Sequence, residues 1–192
     1  MRRIIMLNRI SIDGYFASLN ENTFGMDWFV QDPEVDIAVR SGGGTLDTLI
    51  LGGHTYRGFE RNWVPILHDP RAPKEWKAVA EELTAMTKIV FSSEQKEITW
   101  ANTRRFNGSV VEVSQRLKEE EGSDILIMGS GTIVRQLAAE GLIDEYVFIL
   151  TPVVAGQGKP LFEHVYEFGL TLTETKAFAS GNVLLRYQLK QG

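Results

Sequence analysis

The sequence predicts an α/β fold built on a mixed, mostly parallel sheet, and three observations carry the prediction. Short apolar, β-branched runs alternate along the chain with longer amphipathic stretches. One run, Ile125-Leu126-Ile127-Met128, has no polar interruption, as a strand covered on both faces requires. Near the C-terminus the period switches to two in Leu170-Thr171-Leu172-Thr173-Glu174 and, nearly, in the run from Val183 to Leu189. Ala179-Ser180-Gly181-Asn182 supplies turn chemistry between them, so the chain closes with an antiparallel hairpin.

Taken in order, strands are expected over about 3–10, 48–51, 88–91, 124–128 and 145–152. Helices are expected over about 33–40, 74–86, 110–120 and 132–140, each with the apolar spacing of a helix packed on a sheet. Ser109 and Glu112 form an S-x-x-E capping box at the start of the third helix, and Gly122 suits its stop. A short helix is expected after Gly53. Gly42-Gly43-Gly44 reads as a flexible connection, and the polar stretch 67–74 as a surface loop. A chain of 192 residues with no repeat fits a single domain, 1–192.

Composition excludes several classes. With 43% hydrophobic and 23% charged residues the chain has the profile of a globular protein, not a disordered one. A net charge of -5 provides no overall positive field, so neither nucleic acid nor an anionic membrane is an expected partner. The chain has no cysteine, which removes thiol catalysis and Cys-ligated zinc. His54, His68 and His164 are scattered without ligand spacing, so no metal is expected. The apolar run at the N-terminus is too short for a signal peptide and no membrane-length stretch occurs, which leads to the expectation of a cytoplasmic protein.

The strongest chemical signal is Met128-Gly129-Ser130-Gly131-Thr132, where a buried strand runs through a glycine turn into a helix. Free amides and the positive dipole end at such a helix start attract phosphate, and glycines let the backbone approach it. Val134 stands where a dinucleotide fingerprint needs its third glycine, so this is no Rossmann match, and a plain strand-to-helix turn fits equally. Gly52-Gly53-His54-Thr55 is a second turn of the same kind. A third strand ends in Ser92-Ser93, two hydroxyls suited to a phosphate or to a turn.

In this order, Ser11-Ile12-Asp13-Gly14-Tyr15, Gly52-Gly53-His54-Thr55-Tyr56, Ser92-Ser93, Met128-Gly129-Ser130-Gly131, and Asp144-Glu145-Tyr146 leading to Thr151-Pro152 with Gly156 and Gly158 resemble the dihydrofolate reductase superfamily. The resemblance is closest to the reductase (C-terminal) domain of the bifunctional riboflavin-biosynthesis deaminase-reductase, and it spans nearly the whole chain. It implies a dihydrofolate reductase-like three-layer α/β/α fold with about eight strands, and NADPH as cofactor. By this resemblance Gly52, Gly53, His54 and Thr55 serve the cofactor phosphates and Gly129, Ser130, Gly131 and Thr132 cradle the pyrophosphate. Ser92 and Ser93 approach the adenosine 2′-phosphate, and Ala17 lies near the nicotinamide at the root of a mobile loop, 18–29. Relatives commonly carry an arginine where this chain has Gly53. NADH therefore stands as an alternative, with Arg57 or Arg71 as substitutes for the missing charge.

The resemblance further implies Asp36 as the substrate carboxylate, supported by Thr151, with Trp28 and Phe59 as apolar walls for a flat ring; a solvated helical Asp and plain core aromatics are the alternatives. The implied activity is hydride transfer from NADPH to a small heterocycle: a riboflavin-pathway aminopyrimidine carrying a ribose phosphate, or a dihydrofolate-like pteridine. A non-catalytic nicotinamide-nucleotide-binding protein on the same fold is the alternative. Riboflavin-type relatives usually pair, so a homodimer is expected.

Overall fold

In the computed structural model, which describes residues 1–41, 44–93 and 98–190, each predicted strand and helix forms. Strand β1 (Ile4–Ile10) leads to a short β2 (Tyr15–Ala17), a 3-10 turn over Glu21–Thr23 and helix α1 (Pro33–Ser41). Then come β3 (Leu46–Gly52), α2 (Gly53–His68), α3 (Lys74–Ala85), β4 (Thr87–Phe91) and β5 (Thr103–Phe106). The second half follows with α4 (Val110–Glu119), β6 (Asp124–Met128), α5 (Gly131–Ala139) and β7 (Glu145–Leu150). The chain finishes with β8 (Lys159–Pro160) and the hairpin β9 (Leu170–Ala177) and β10 (Val183–Leu189).

Eight strands form one sheet in the order β5-β4-β3-β6-β1-β7-β10-β9, and β2 pairs with β8 apart from it. All neighbouring pairs from β5 to β7 are parallel, whereas β10 runs antiparallel to both β7 and β9. Side chains alternate across each strand. Ile4, Met6, Ile50, Ile125 and Ile127 therefore face α4 and α5, whose Val113, Leu117, Ile133 and Leu137 complete one core. Ile5, Leu49, Leu51, Val90 and Leu126 face the other way, toward Val35 of α1, Tyr56 of α2 and Leu83 of α3. The result is a three-layer α/β/α sandwich.

Ser109 caps α4 by accepting from the Glu112 amide at 3.2 Å. Between the hairpin strands the Phe178 amide donates to Asn182 O at 3.0 Å, with Gly181 at φ 86°. The short helix expected after Gly53 is a four-turn helix of 16 residues, with Pro65 in its last turn. Sequence reading missed β5, a polar four-residue edge strand, and the β2–β8 ribbon. Of the Gly42-Gly43-Gly44 connection, Gly42 and Gly43 lie outside the described residues.

The start of β4 holds an internal cation. Lys88, fully buried, donates from Nζ to Leu83 O (2.8 Å), Thr84 O (3.0 Å) and Met86 O (2.7 Å), terminating α3, and lies 4.7 Å from the Trp100 ring centre. Burial pushes its ammonium down to about 8.

Candidate functional site

The register of the parallel strands decides which distant residues meet. Gly52 pairs with Phe91 across β3–β4, and Ile50 pairs with Ile127 across β3–β6. The carboxyl ends of three adjacent strands therefore place Ser92-Ser93, Gly52 to Thr55 and Gly129 to Thr132 side by side, where ligands of open α/β sheets bind.

These turns are bonded to each other. The Gly52 amide donates to Ser130 Oγ at 2.9 Å, and the Ser130 amide donates to Thr55 Oγ1 at 3.2 Å. Ser130 Oγ also donates to Met128 O (3.1 Å), and Asn8 Nδ2 holds Gly129 O (3.2 Å) from β1. Because the Ser130 hydroxyl is spent on β3 and β6, it does not cap α5, and α2 likewise has no side-chain cap at Gly52. Two helix N-termini with uncapped first turns thus open onto one cleft.

The glycines also have a packing role. A Cβ at Gly53 would lie 2.5 Å from Ser92 Oγ, one at Gly129 (φ 58°) 3.0 Å from Thr55 Cγ2, and one at Gly131 2.6 Å from the Phe16 ring. What they permit is the close approach of the turns to one another and to Phe16. The cramped space at Gly53 also bears on the missing arginine: a side chain there forces Ser92 or the start of α2 to shift. Of the two proposed substitutes, Arg57 lines a recess of about 570 Å³ with Ser92, Ser93 and Asn107. Arg71 is 92% exposed beside Asp69 and does not reach it.

His54 faces both recess and cleft. Its Nε2 is buried without a hydrogen bond, 3.5 Å from Glu21 Oε2, and burial holds the imidazole below its usual pKa. Glu21 also accepts from Lys159 Nζ at 2.7 Å, which draws its carboxyl below the usual range. Segment 18–29 thus rests on α2: Glu21 sits between His54 and Lys159, and Phe24 packs where a Cβ on Gly58 would come within 2.9 Å of its ring.

The main cleft has a volume of about 1670 Å³ and runs from these turns along the α1–α2–α3 face of the sheet. Ala17, Asp36 and Phe59 line it. Trp28 does not; its ring stands 4.6 Å behind that of Phe29, which takes the expected place on the wall. Asp36 is paired with Arg9 (2.9 Å), and its side chain is 50% exposed rather than buried. Thr151 is fully buried but does not support Asp36: its hydroxyl donates to Asn182 Oδ1 at 3.3 Å, and Asn182 in turn donates to Val30 O at 3.2 Å. The expected carboxylate–threonine pair is therefore not formed, because the hairpin turn comes between β7 and α1. Sequence reading missed Arg9, Phe29, Arg135 and Lys159; only the strand and turn contacts bring them to the cleft. The Asp13 carboxyl of the Asp-Gly-Tyr turn is held down at about 2, first by the Ser11 hydroxyl and then by the Ala155 (3.0 Å) and Gly156 (2.8 Å) amides that donate to it.

Among the described residues no cluster of His, Asp and Glu is placed to hold a metal ion, and no helix is long and apolar enough to cross a membrane. The features present, two uncapped helix starts, an orphaned His54 Nε2 and the cations Arg57, Arg135 and Lys159, fit the phosphates of a dinucleotide.

Fold and cleft together define a class, the dihydrofolate reductase-like α/β/α proteins. Within it, the model of the RibD C-terminal domain matches residues 2–185, and the chain belongs to that family. The uncharacterized protein YyaP of Bacillus subtilis (strain 168) is 32% identical over 189 residues, covering 97% of this chain and 94% of its own. Dihydrofolate reductase from Enterococcus faecalis, solved with NADP(H), superposes with a TM-score of 0.64 at 14% identity, over 98% of this chain and 97% of that one. A pyrimidine reductase-like protein from Corynebacterium diphtheriae gives 0.63 at 14% identity, over 100% and 93%. At these identities the two solved structures speak for the fold alone.

Proposed function

We propose that the protein is an NADPH-dependent reductase that delivers hydride to a conjugated C=N or C=O group of a small heterocycle, aminopyrimidine or pteridine. The observation that carries this reading is the pair of uncapped helix N-termini, at Gly53 and Gly131, stitched together through Ser130 and Thr55. When bound, the reduced nicotinamide supplies the hydride.

The chain's own part is alignment and exclusion of water. The amides opening α2 and α5 hold the pyrophosphate, Lys159 and Arg135 add positive charge, and Ser92, Ser93 and Arg57 take the 2′-phosphate in their recess. Ala17 walls the nicotinamide end, beneath the segment anchored by Glu21 and Phe24. Asp36, oriented by Arg9, accepts hydrogen bonds from ring N–H groups of the substrate, against the faces of Phe29 and Phe59. Family membership and the NADP(H) bound by the E. faecalis protein support this reading.

The missing Asp36–Thr151 contact favours a second reading, a non-catalytic nicotinamide-nucleotide-binding protein. Thermal melting with NADPH and NADH, followed by turnover on dihydropteridine and aminopyrimidine substrates, separates the two. A ligand at 100 times its Kd raises stability by about 2.7 kcal/mol. Stabilisation by NADPH with turnover supports the reductase, stabilisation without turnover the binding protein, and no stabilisation by either cofactor refutes both. We also propose that the protein acts in the cytoplasm as a homodimer through the β9 edge, to be checked by light scattering against the 21.6 kDa monomer.

A further inference from the structure

The cleft is larger than one ligand needs. Sites for single small molecules run to about 300–1,000 Å³, whereas this one holds about 1670 Å³ and extends well past the glycine turns. Its two ends differ in character. Around the turns lie Arg57, Arg135 and Lys159, the cationic end already assigned to phosphates. Beyond them the cleft becomes an apolar groove between α1 and the α2–α3 pair. Its floor and walls are Leu46, Phe59, Trp63, Leu83, Met86 and Leu126. Its mouth carries two large exposed apolar side chains, Ile37 of α1 (65% exposed) and Trp76 of α3 (57%). Together with the apolar lining they give the groove a nonpolar entrance, suited to an apolar ligand.

The charges of this groove point the same way. Asp32, Asp36, Glu75 and Glu82 line it. Against them stand Arg9, which pairs with Asp36, and Arg40 at the end of α1. Arg186, at the far end, is occupied by Glu145 (2.9 Å), Glu174 (2.8 Å) and the Val39 carbonyl (2.8 Å). The groove therefore has an excess of carboxylate, which repels a phosphate group and tolerates a neutral or cationic one.

We infer that the substrate is an extended, flat, apolar molecule, neutral or cationic, that enters between Ile37 and Trp76, and that it carries no phosphate. This inference rests on the reductase reading and narrows it, because it excludes the ribose-phosphate form of an aminopyrimidine as the preferred substrate.

A matched pair of fluorescent probes tests the groove independently of turnover: neutral N-phenyl-1-naphthylamine and its sulfonated counterpart 8-anilino-1-naphthalenesulfonate, each titrated with and without saturating NADP⁺. The neutral probe binds at least about tenfold more tightly, and NADP⁺ does not displace it. Combining Glu75→Gln and Glu82→Gln, both at exposed positions, raises affinity for the sulfonate about threefold or more and leaves the neutral probe unchanged. Trp76→Glu weakens the neutral probe by a similar factor with an unchanged melting temperature. In turnover, an aminopyrimidine or pteridine bearing a neutral aromatic substituent has a higher kcat/KM than the same ring bearing a ribose 5′-phosphate. Any of four results overturns the inference: no binding of the neutral probe, its displacement by NADP⁺, a probe ratio that ignores the two carboxylates, or preference for the phosphorylated substrate. Loss of the NADPH-dependent melting shift while the probe ratio persists instead counts against the reductase reading, so the two failures are distinguishable.

Discussion

The close approach of Gly53 to Ser92 makes a strong prediction. In Gly53→Ala the new Cβ would lie 2.5 Å from Ser92 Oγ and 2.7 Å from its Cβ, roughly 1 Å inside the contact distance of about 3.5–4.0 Å. Either the start of α2 or the end of β4 must move. Overpacking of this kind costs about 1–3 kcal/mol, and replacing a helical glycine by alanine returns about 0.5–1 kcal/mol. The net loss is therefore up to about 2.5 kcal/mol, and at about 2–4 °C per kcal/mol for a domain of this size the melting temperature falls by up to roughly 10 °C. Ser92→Gly removes both opposing atoms, so the double variant regains most of what Gly53→Ala loses. Thermal and urea melts of the four proteins give a coupling energy of about 1 kcal/mol or more. Additivity within about 0.3–0.5 kcal/mol would refute the account of why arginine is absent at position 53. By the same reasoning, Gly53→Arg strengthens NADPH binding only when combined with Ser92→Gly.

Three further outcomes are expected. Ser130→Ala leaves the Gly52 amide without its acceptor, costs about 1–3 kcal/mol and weakens NADPH binding; an unchanged melting temperature would count against the stitched turns. Lys88 titrates at about 8 when folded against an ordinary 10.5, so between those values the unfolded chain holds a proton that the folded one has released. Stability then rises with pH across that window in the wild type, while Lys88→Met lacks this rise; equal slopes in urea melts from pH 7.5 to 10 would contradict the assignment. Glu21→Gln withdraws a carboxylate from between His54 and Lys159, and NADPH affinity rises by roughly two- to tenfold with a steeper salt dependence; a titration showing weaker binding would mean that Glu21 supports the site rather than competing for its cations.

Much of the architecture was legible because burial on both faces leaves an apolar run such as 125–128, and because strict alternation marks a hairpin. The edge strand β5 was not legible: Thr103-Arg104-Arg105-Phe106 is short and polar, and only its pairing with β4 makes it a strand. The full length of α2 was hidden by Pro65, which reads as a breaker yet stands in the final turn. The turns at 52–55 and 129–132 could each be seen alone, but their hydrogen bonds depend on the parallel register of β3 and β6. Local sequence also could not show that Asn182 intervenes at Thr151, or that Arg9 holds Asp36. Those contacts join residues 31 and 27 positions apart, set by the sheet order.

A crystal structure of the protein grown with excess NADPH tests the central claim most directly. The account predicts one dinucleotide spanning both turns, with its pyrophosphate against the amides that open α2 and α5 and its 2′-phosphate in the recess of Arg57, Ser92 and Ser93. A cofactor bound elsewhere, or two turns that touch only each other while saturating NADPH is present, would contradict it.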